Sequence, residues 1–188
     1  EKILTGSERM KQRPIAPLVD ALKNLRAEIE YLEQTGFPPL RIKGKKLEKN
    51  EVEIDGTISS QFLSALLMIA PKLENGLRIS IKGELVSKPY ALMTIALMKH
   101  FGVKVLWNQN VIEIPKQNYV ANTYNVEPDW SAAAFWYSLV SLTKDAEIVL
   151  PGLQKNSLQG DSVLTELMKN FGVETNIINN EVVLKKSQ

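Results

Sequence analysis

Five groups of polar residues in this 188-residue chain stand where an apolar helical pattern is about to begin. They are Arg9 and Arg13 ahead of Pro14; Ser59, Ser60 and Gln61; Ser87, Lys88 and Tyr90 around Pro89; Asp129 and Ser131; and Asn156, Ser157 and Gln159. A helix start offers free backbone N–H groups and the positive end of the helix dipole, and adjacent hydroxyls add further donors. That is the equipment for holding a phosphate monoester or a carboxylate. Taken singly, a serine in such a place is a cap and nothing more, and Lys88 is a solvated surface lysine. Arg13 fits a structural role less well, because a cation at a helix start opposes the dipole. Convergence of several groups, rather than any one of them, predicts an anion site.

The remaining composition narrows the chemistry. There is no cysteine, which removes thiol nucleophiles, zinc-thiolate sites and disulfides. The single histidine, His100, ends a predicted helix where positive charge is favoured and reads as structural. Multi-histidine metal sites and Ser-His triads have no other residue to build on, so neither metal nor cofactor is expected. With 23 basic against 21 acidic residues, a net charge of +2 gives no reason to expect nucleic acid, yet is compatible with a local anion pocket. No apolar run approaches the roughly 18 residues of a membrane helix. No signal-peptide pattern opens the chain either, so the expected compartment is the cytoplasm.

The elements that must position these groups come in copies. Leu97-Met98-Lys99-His100-Phe101-Gly102-Val103 recurs as Leu167-Met168-Lys169-Asn170-Phe171-Gly172-Val173, and at the same offset Ser87 falls on Ser157 and Ile79 on Val149. The first copy reads as a strand at 52–54, a helix through Phe62, Leu63, Leu66, Leu67 and Ala70 stopped by Pro71, and a strand at 77–81. A helix from Pro89 to the Phe101-Gly102 cap follows, then strands at 103–107 and 111–114 around an Asn-rich turn. The order is βαβαββ. The second copy predicts a strand at 123–126, a helix at 129–142, a strand at 146–150, a helix at 161–171, and strands at 173–177 and 182–184 with a turn at Asn179 and Asn180. The 129–142 helix is apolar nearly all round, which predicts a central position with Trp130 and Trp136 in the core. The 161–171 helix carries a stripe of Val163, Leu164, Leu167, Met168 and Phe171 that predicts one wet side.

Upstream lies the back half of a third copy. A strand at 3–6 leads into a helical stripe of Ile15, Leu18, Val19, Leu22 and Leu25, followed by a hairpin pair at 28–32 and 39–42. A unit without its opening strand and helix cannot close its own sheet, so the chain reads as a piece of a longer protein, with an open edge that invites pairing between copies. In βαβ units each helix packs back onto one sheet, which gathers the helix starts on one side.

Several separated motifs resemble one family. Leu4-Thr5-Gly6, Arg9 to Ile15, Tyr31-Leu32-Glu33-Gln34 with Pro38-Pro39-Leu40, Ser59-Ser60-Gln61-Phe62, Val86-Ser87-Lys88-Pro89-Tyr90 and Asn156-Ser157-Leu158-Gln159-Gly160-Asp161 together are similar to the 5-enolpyruvylshikimate-3-phosphate synthases, in order and over essentially the whole chain. The resemblance implies an α/β enolpyruvyl transferase fold built from repeated βαβαββ units, here with one unit incomplete, in a two-domain enzyme of roughly twice this length. Residues 1–118 would belong to the first lobe (half unit 1–48, complete unit 49–118), 119–127 to the inter-domain crossing, and 128–188 to the second lobe. The family moves the enolpyruvyl group of phosphoenolpyruvate to the 5-hydroxyl of shikimate 3-phosphate and releases phosphate. By resemblance Ser59, Ser60, Gln61, Ser87 and Tyr90 bind shikimate 3-phosphate, and Arg13 and Gln61 bind phosphoenolpyruvate. The acid-base residues fall outside these 188 residues, so the chain alone is expected to be inactive and the parent a monomer. Two features depart from the pattern: Pro128 and Trp130 flank Asp129 where small residues are usual, and Lys43-Gly44-Lys45-Lys46 replaces a Gly-rich spacing. The related UDP-N-acetylglucosamine enolpyruvyl transferases fit the SSQ and SKPY segments less well. A non-catalytic repeat module that binds a phosphorylated ligand or a protein is the alternative from another class.

Overall fold

The structure, a computed structural model, describes residues 1–179 and 181–187. It divides into two compact units, Glu1–Asn122 and the stretch from Thr123 onward. In the first, β1 (Lys2–Leu4), α1 (Glu8–Lys11), α2 (Ala16–Asn24), β2 (Glu28–Tyr31) and β3 (Leu40–Lys43) precede β4 (Glu51–Asp55), α3 (Ser60–Ile69), β5 (Leu77–Lys82), α4 (Lys88–His100), β6 (Leu106–Asn108) and β7 (Val111–Ile114). The first three strands form an antiparallel sheet in the order β1-β3-β2, which is how the half copy closes. The other four form a sheet in the order β4-β5-β7-β6.

The β4–β5 pair is parallel, with Asp55 opposite Lys82 at its end. Since α3 follows β4 and α4 follows β5, both helices begin beyond the same end of the sheet. Side-by-side packing is marked by the Ser64 and Thr94 hydroxyls, 2.8 Å apart between α3 and α4. Leu63, Leu66 and Leu67 on α3 are fully buried with Ile79 of β5 and Ile112 of β7. Each is worth about 1.5–3 kcal/mol of burial. The half copy lends Ala21 of α2 and Leu25 at its C-cap to this same core, so the incomplete unit is anchored by its helix. Gly102, at φ 81°, ends α4 in the left-handed cap expected of it.

The second unit contains α5 (Trp130–Leu142), β8 (Glu147–Pro151), α6 (Leu164–Leu167), β9 (Val173–Ile178) and β10 (Glu181–Lys186), with its sheet in the order β8-β10-β9. The repeat holds in register. α3 begins at Ser60 and α5 at Trp130, β5 at Leu77 and β8 at Glu147, β7 at Val111 and β10 at Glu181. A shift of 70 residues relates each pair. Asn179 sits in the turn before β10 at φ 50°, while Asn180, its predicted companion, lies outside the described residues.

Three expectations fail here. Residues 123–126 form no strand: Asn125 and Val126 are exposed, so the buried alternation that Val52 and Ile54 give β4 has no counterpart. The helix predicted over 161–171 is one α-helical turn, α6, between 3₁₀ turns at Gly160–Val163 and Met168–Phe171. Leu164 and Met168 pack on the core, but Val163, Leu167 and Phe171 are exposed, so half of the stripe has nothing to bury against. Finally, α5 is not central in its unit. Trp130, Ala133, Tyr137 and Val140 are buried, whereas Phe135, Trp136, Leu139 and Leu142 face outward, so Trp130 is core and Trp136 is not. One three-stranded sheet covers one face of a helix, and among the unit's described residues no second layer covers the other.

Candidate functional site

The α3 start is shaped by a sharp turn. Asp55 Oδ1 accepts hydrogen bonds from Thr57 N (2.8 Å) and Thr57 Oγ1 (2.7 Å). These two bonds, the backbone one foremost, hold the Asp55 carboxyl below its ordinary pKa. Ser59 is the N-cap of α3, its Oγ accepting from Gln61 N at 3.3 Å. Ser60 is the one buried polar residue among those described, yet its hydroxyl has no hydrogen bond to any of them. At the α4 start Ser87 occupies the N-cap position without a side-chain capping bond, ahead of Lys88 and Pro89. The Tyr90 and Gln61 side chains are exposed and make no hydrogen bond to the described residues. Lys88 reaches over the Trp107 ring, 5.5 Å from its centroid, which gives this lysine a local partner.

The two starts are tied together through the backbone. Gly56 N donates to Lys82 O at 2.8 Å, and Gly56 O accepts from Val86 N at 3.2 Å. The loop leading to Ser59 and Ser60 is therefore bound to the loop leading to Ser87. Arg13 lies in the turn between α1 and α2, its N–H donating to Met10 O at 3.1 Å and its exposed guanidinium unpaired among the described residues. It precedes Ile15, the N-cap of α2, and so is not inside the helix start. Arg9, within α1, is exposed as well. His100 ends α4, its ring edge-on to Phe101 at 5.2 Å.

The equivalent groups of the second copy are consumed by one another. Asp129 caps α5 by accepting from Ser131 N at 2.8 Å, and the Ser131 hydroxyl donates to Asp161 Oδ2. Ser157 Oγ donates to Glu127 Oε1 at 2.6 Å and accepts from Gln159 N at 2.9 Å. Gln159 is used at both ends, accepting from Trp130 N at 2.8 Å and donating to Pro128 O at 2.9 Å. Asn156 is exposed in the turn ahead of them. A hydroxyl that donates to a carboxylate has no proton left for an anion, whereas an open one still has its donor. Of the five polar groups, the structure brings Ser59–Gln61 and Ser87–Tyr90 together as open starts and turns the Asp129 and Ser157 groups into internal ties. Sequence reasoning missed Glu127. The signal was the register itself, which sets an acid at 127 where the first copy has Thr57.

A hollow of about 530 Å³ between α4 and β6, lined by Leu92, Ile95, Lys99, Leu106 and Trp107, contains none of the open hydroxyls. No group of three or more His, Cys, Asp or Glu able to hold a metal occurs among the described residues, and no helix there is long and apolar enough to cross a membrane.

Fold and site together define an α/β repeat protein of the enolpyruvyl transferase fold, with one pair of polar, open helix starts. The profile of the family described as EPSP synthase (3-phosphoshikimate 1-carboxyvinyltransferase) matches residues 1–187, and the chain belongs to that family. Among its relatives, a 3-phosphoshikimate 1-carboxyvinyltransferase of Bacteroides fragilis is 47% identical over 98% of this chain and 45% of its own length. One from Colwellia psychrerythraea is 49% identical over 93% of this chain and 41% of its own. The chain thus spans under half the length of the curated relatives it matches. An EPSP synthase structure from Acinetobacter baumannii superposes with a TM-score of 0.70 at 21% identity, covering 98% of this chain and 42% of that one, a likeness of fold.

Proposed function

We propose that this chain supplies part of the substrate cleft of a 3-phosphoshikimate 1-carboxyvinyltransferase. That enzyme joins the enolpyruvyl group of phosphoenolpyruvate to the 5-hydroxyl of shikimate 3-phosphate and releases phosphate, a step toward aromatic amino acids. In this reading Ser59, Ser60 and Ser87 bind the 3-phosphate and Tyr90 lies beside the same substrate. Gln61 touches both substrates, and Arg13 binds phosphoenolpyruvate. The observation that carries the reading is the pair of helix starts beyond one end of the β4–β5 pair, tied through Gly56, with the Ser60 and Ser87 hydroxyls unspent. Backbone N–H groups, dipole ends and hydroxyls in that arrangement suit a dianionic ester.

The chemistry is an addition followed by an elimination. The 5-hydroxyl gives up its proton to a base as its oxygen bonds to C2 of phosphoenolpyruvate, and the methylene carbon takes a proton from an acid. Loss of phosphate and of a proton from the resulting methyl group restores the double bond. These three proton transfers need positioned acids and bases, and the charged intermediate needs cationic partners. The open starts described here bind and orient; the family resemblance assigns proton transfer to segments outside these 188 residues. In the same reading residues 119–127 are the crossing between lobes, the protein works in the cytoplasm, and the parent is monomeric.

The test is a titration of ¹⁵N-labelled chain with shikimate 3-phosphate and, separately, with UDP-N-acetylglucosamine. Selective shifts at Ser59–Gln61 and Ser87 with the first ligand support the reading. Shifts with the nucleotide sugar alone, or none with either, refute it. Weak affinity is expected because only part of the cleft is present. Enolpyruvyl transfer by the purified chain would contradict the assignment of proton transfer to other segments.

A further inference from the structure

Gly56 is buried between the two open loops and bonded to both: its N–H reaches Lys82 O, and its carbonyl takes the Val86 N–H. A Cβ built on it would lie 2.6 Å from Glu84 O, 2.8 Å from Glu84 C and 3.0 Å from Lys82 O, all backbone atoms that cannot swing away. Gly56 is not among the glycines with positive φ, so close approach rather than backbone conformation demands a glycine. On its far side the turn is fixed by the two Thr57 bonds to Asp55. The second copy provides an internal contrast. Its residue at the Gly56 position is Val126, which is exposed, and its two loops are joined instead by the side chains of Glu127, Ser157 and Gln159. Joining loops through side chains uses up the hydroxyl's proton; joining them through backbone leaves that donor free.

We propose that Gly56 is the positioning residue of the first-copy site: its backbone bonds and missing side chain set the separation between Ser59–Ser60 and Ser87, and so the affinity for the phosphate monoester. The inference rests on the reading of those serines as a shikimate 3-phosphate site. Gly56 itself touches no ligand and acts through the two loops.

Two variants of the chain test it: Gly56→Ala, which pushes the loops apart, and Val86→Pro, which deletes one tie at a residue whose side chain is exposed. Shikimate 3-phosphate is the probe, and affinity is read from amide shifts at Ser59–Gln61 and Ser87. Amide exchange at Ile54, Ile79 and Ile112 verifies that the sheet core is intact, a readout that a general loss of structure would move and a change of loop spacing would not. Gly56→Ala is expected to keep core protection and bind at least about tenfold more weakly, and Val86→Pro about fivefold, the scale of one lost hydrogen bond. Wild-type affinity in a folded Gly56→Ala overturns the proposal. If that variant does not fold, wild-type affinity in Val86→Pro does so. Failure of the unaltered chain to bind refutes the site reading and this inference with it, whereas binding unaffected by either change refutes the inference alone.

Discussion

Alanine at Ser157 and alanine at Ser87 should have opposite consequences, although the two serines occupy the same place in the repeat. Ser157 gives one hydrogen bond to the Glu127 carboxylate and takes one from Gln159 N. A bond to a charged group is worth about 1.5–3 kcal/mol and a neutral one about 1 kcal/mol. Glu127 Oε2 is already buried without a partner, so Ser157→Ala leaves both oxygens of that carboxylate unmatched. The expected destabilisation of the second unit is about 2–4 kcal/mol, or roughly 15–30 °C in the unfolding midpoint of so small a unit. Ser87 has no side-chain cap bond to lose, and Ser87→Ala should stay within about 0.5 kcal/mol of wild type. Its cost falls on ligand binding, where losing a donor to a charged phosphate weakens affinity about tenfold or more. Amide exchange resolves the units, with Val182 and Leu184 reporting on the second and Ile79 and Ile112 on the first. A Ser157→Ala chain as stable as wild type, or a Ser87→Ala chain destabilised by more than about 1 kcal/mol, would refute the division into a closed and an open copy.

Leu66, fully buried on α3, should cost about 2–5 kcal/mol when changed to alanine; chemical denaturation of the first unit measures it, and a loss below 1 kcal/mol would mean that the α3–sheet core is misplaced. Because the Asp55 carboxyl has a lowered pKa in the folded chain, its contribution is complete above the unfolded-state value and fades as pH falls through the folded one. Asp55→Asn should therefore flatten the acid limb of the first unit's stability curve, and an unchanged limb argues against the Thr57 bonds. Thr57→Glu copies the Glu127 arrangement into the first unit, so it should fill the place beside Ser87 and abolish shikimate 3-phosphate shifts while the β4 and β5 amides stay protected; undiminished binding would refute the equivalence.

Much of the architecture was legible because its causes are local. The Leu97–Val103 and Leu167–Val173 repetition gives the register, Pro71 and Gly102 give helix ends, and the alternation of Val52 and Ile54 gives a strand with one buried face. What escaped depends on what lies opposite a residue rather than on the residue. The outward Phe135, Trp136, Leu139 and Leu142 have the composition of a buried helix face, and hydrophobicity along a sequence does not record whether a second layer covers it. The broken 161–171 helix follows the same logic. Its pattern is helical, but with Val163, Leu167 and Phe171 uncovered, tertiary packing does not enforce one continuous helix.

The open and closed starts could not be separated by residue type, since both copies present hydroxyls and short polar side chains at helix starts. Function of a serine in such a place depends on competition for its hydroxyl, and that competition is decided two to three residues before the N-cap. In the first copy Gly56 and Thr57 precede Ser59; in the second Val126 and Glu127 precede Asp129. A glycine lets the neighbouring loop approach through backbone alone, and a threonine spends its own hydroxyl locally on Asp55. A glutamate reaches across to Ser157 and brings an anion of its own. One unit therefore carries its negative group covalently, while the other leaves the corresponding place open, which is the place the proposed function assigns to a phosphate. The second copy lacks the opening strand and keeps only one α-helical turn of its second helix. Both copies nonetheless retain the register of the first helix and of the strands that follow, so the proposed division into scaffold and binding site at the helix starts traces to two side chains ahead of the first helix.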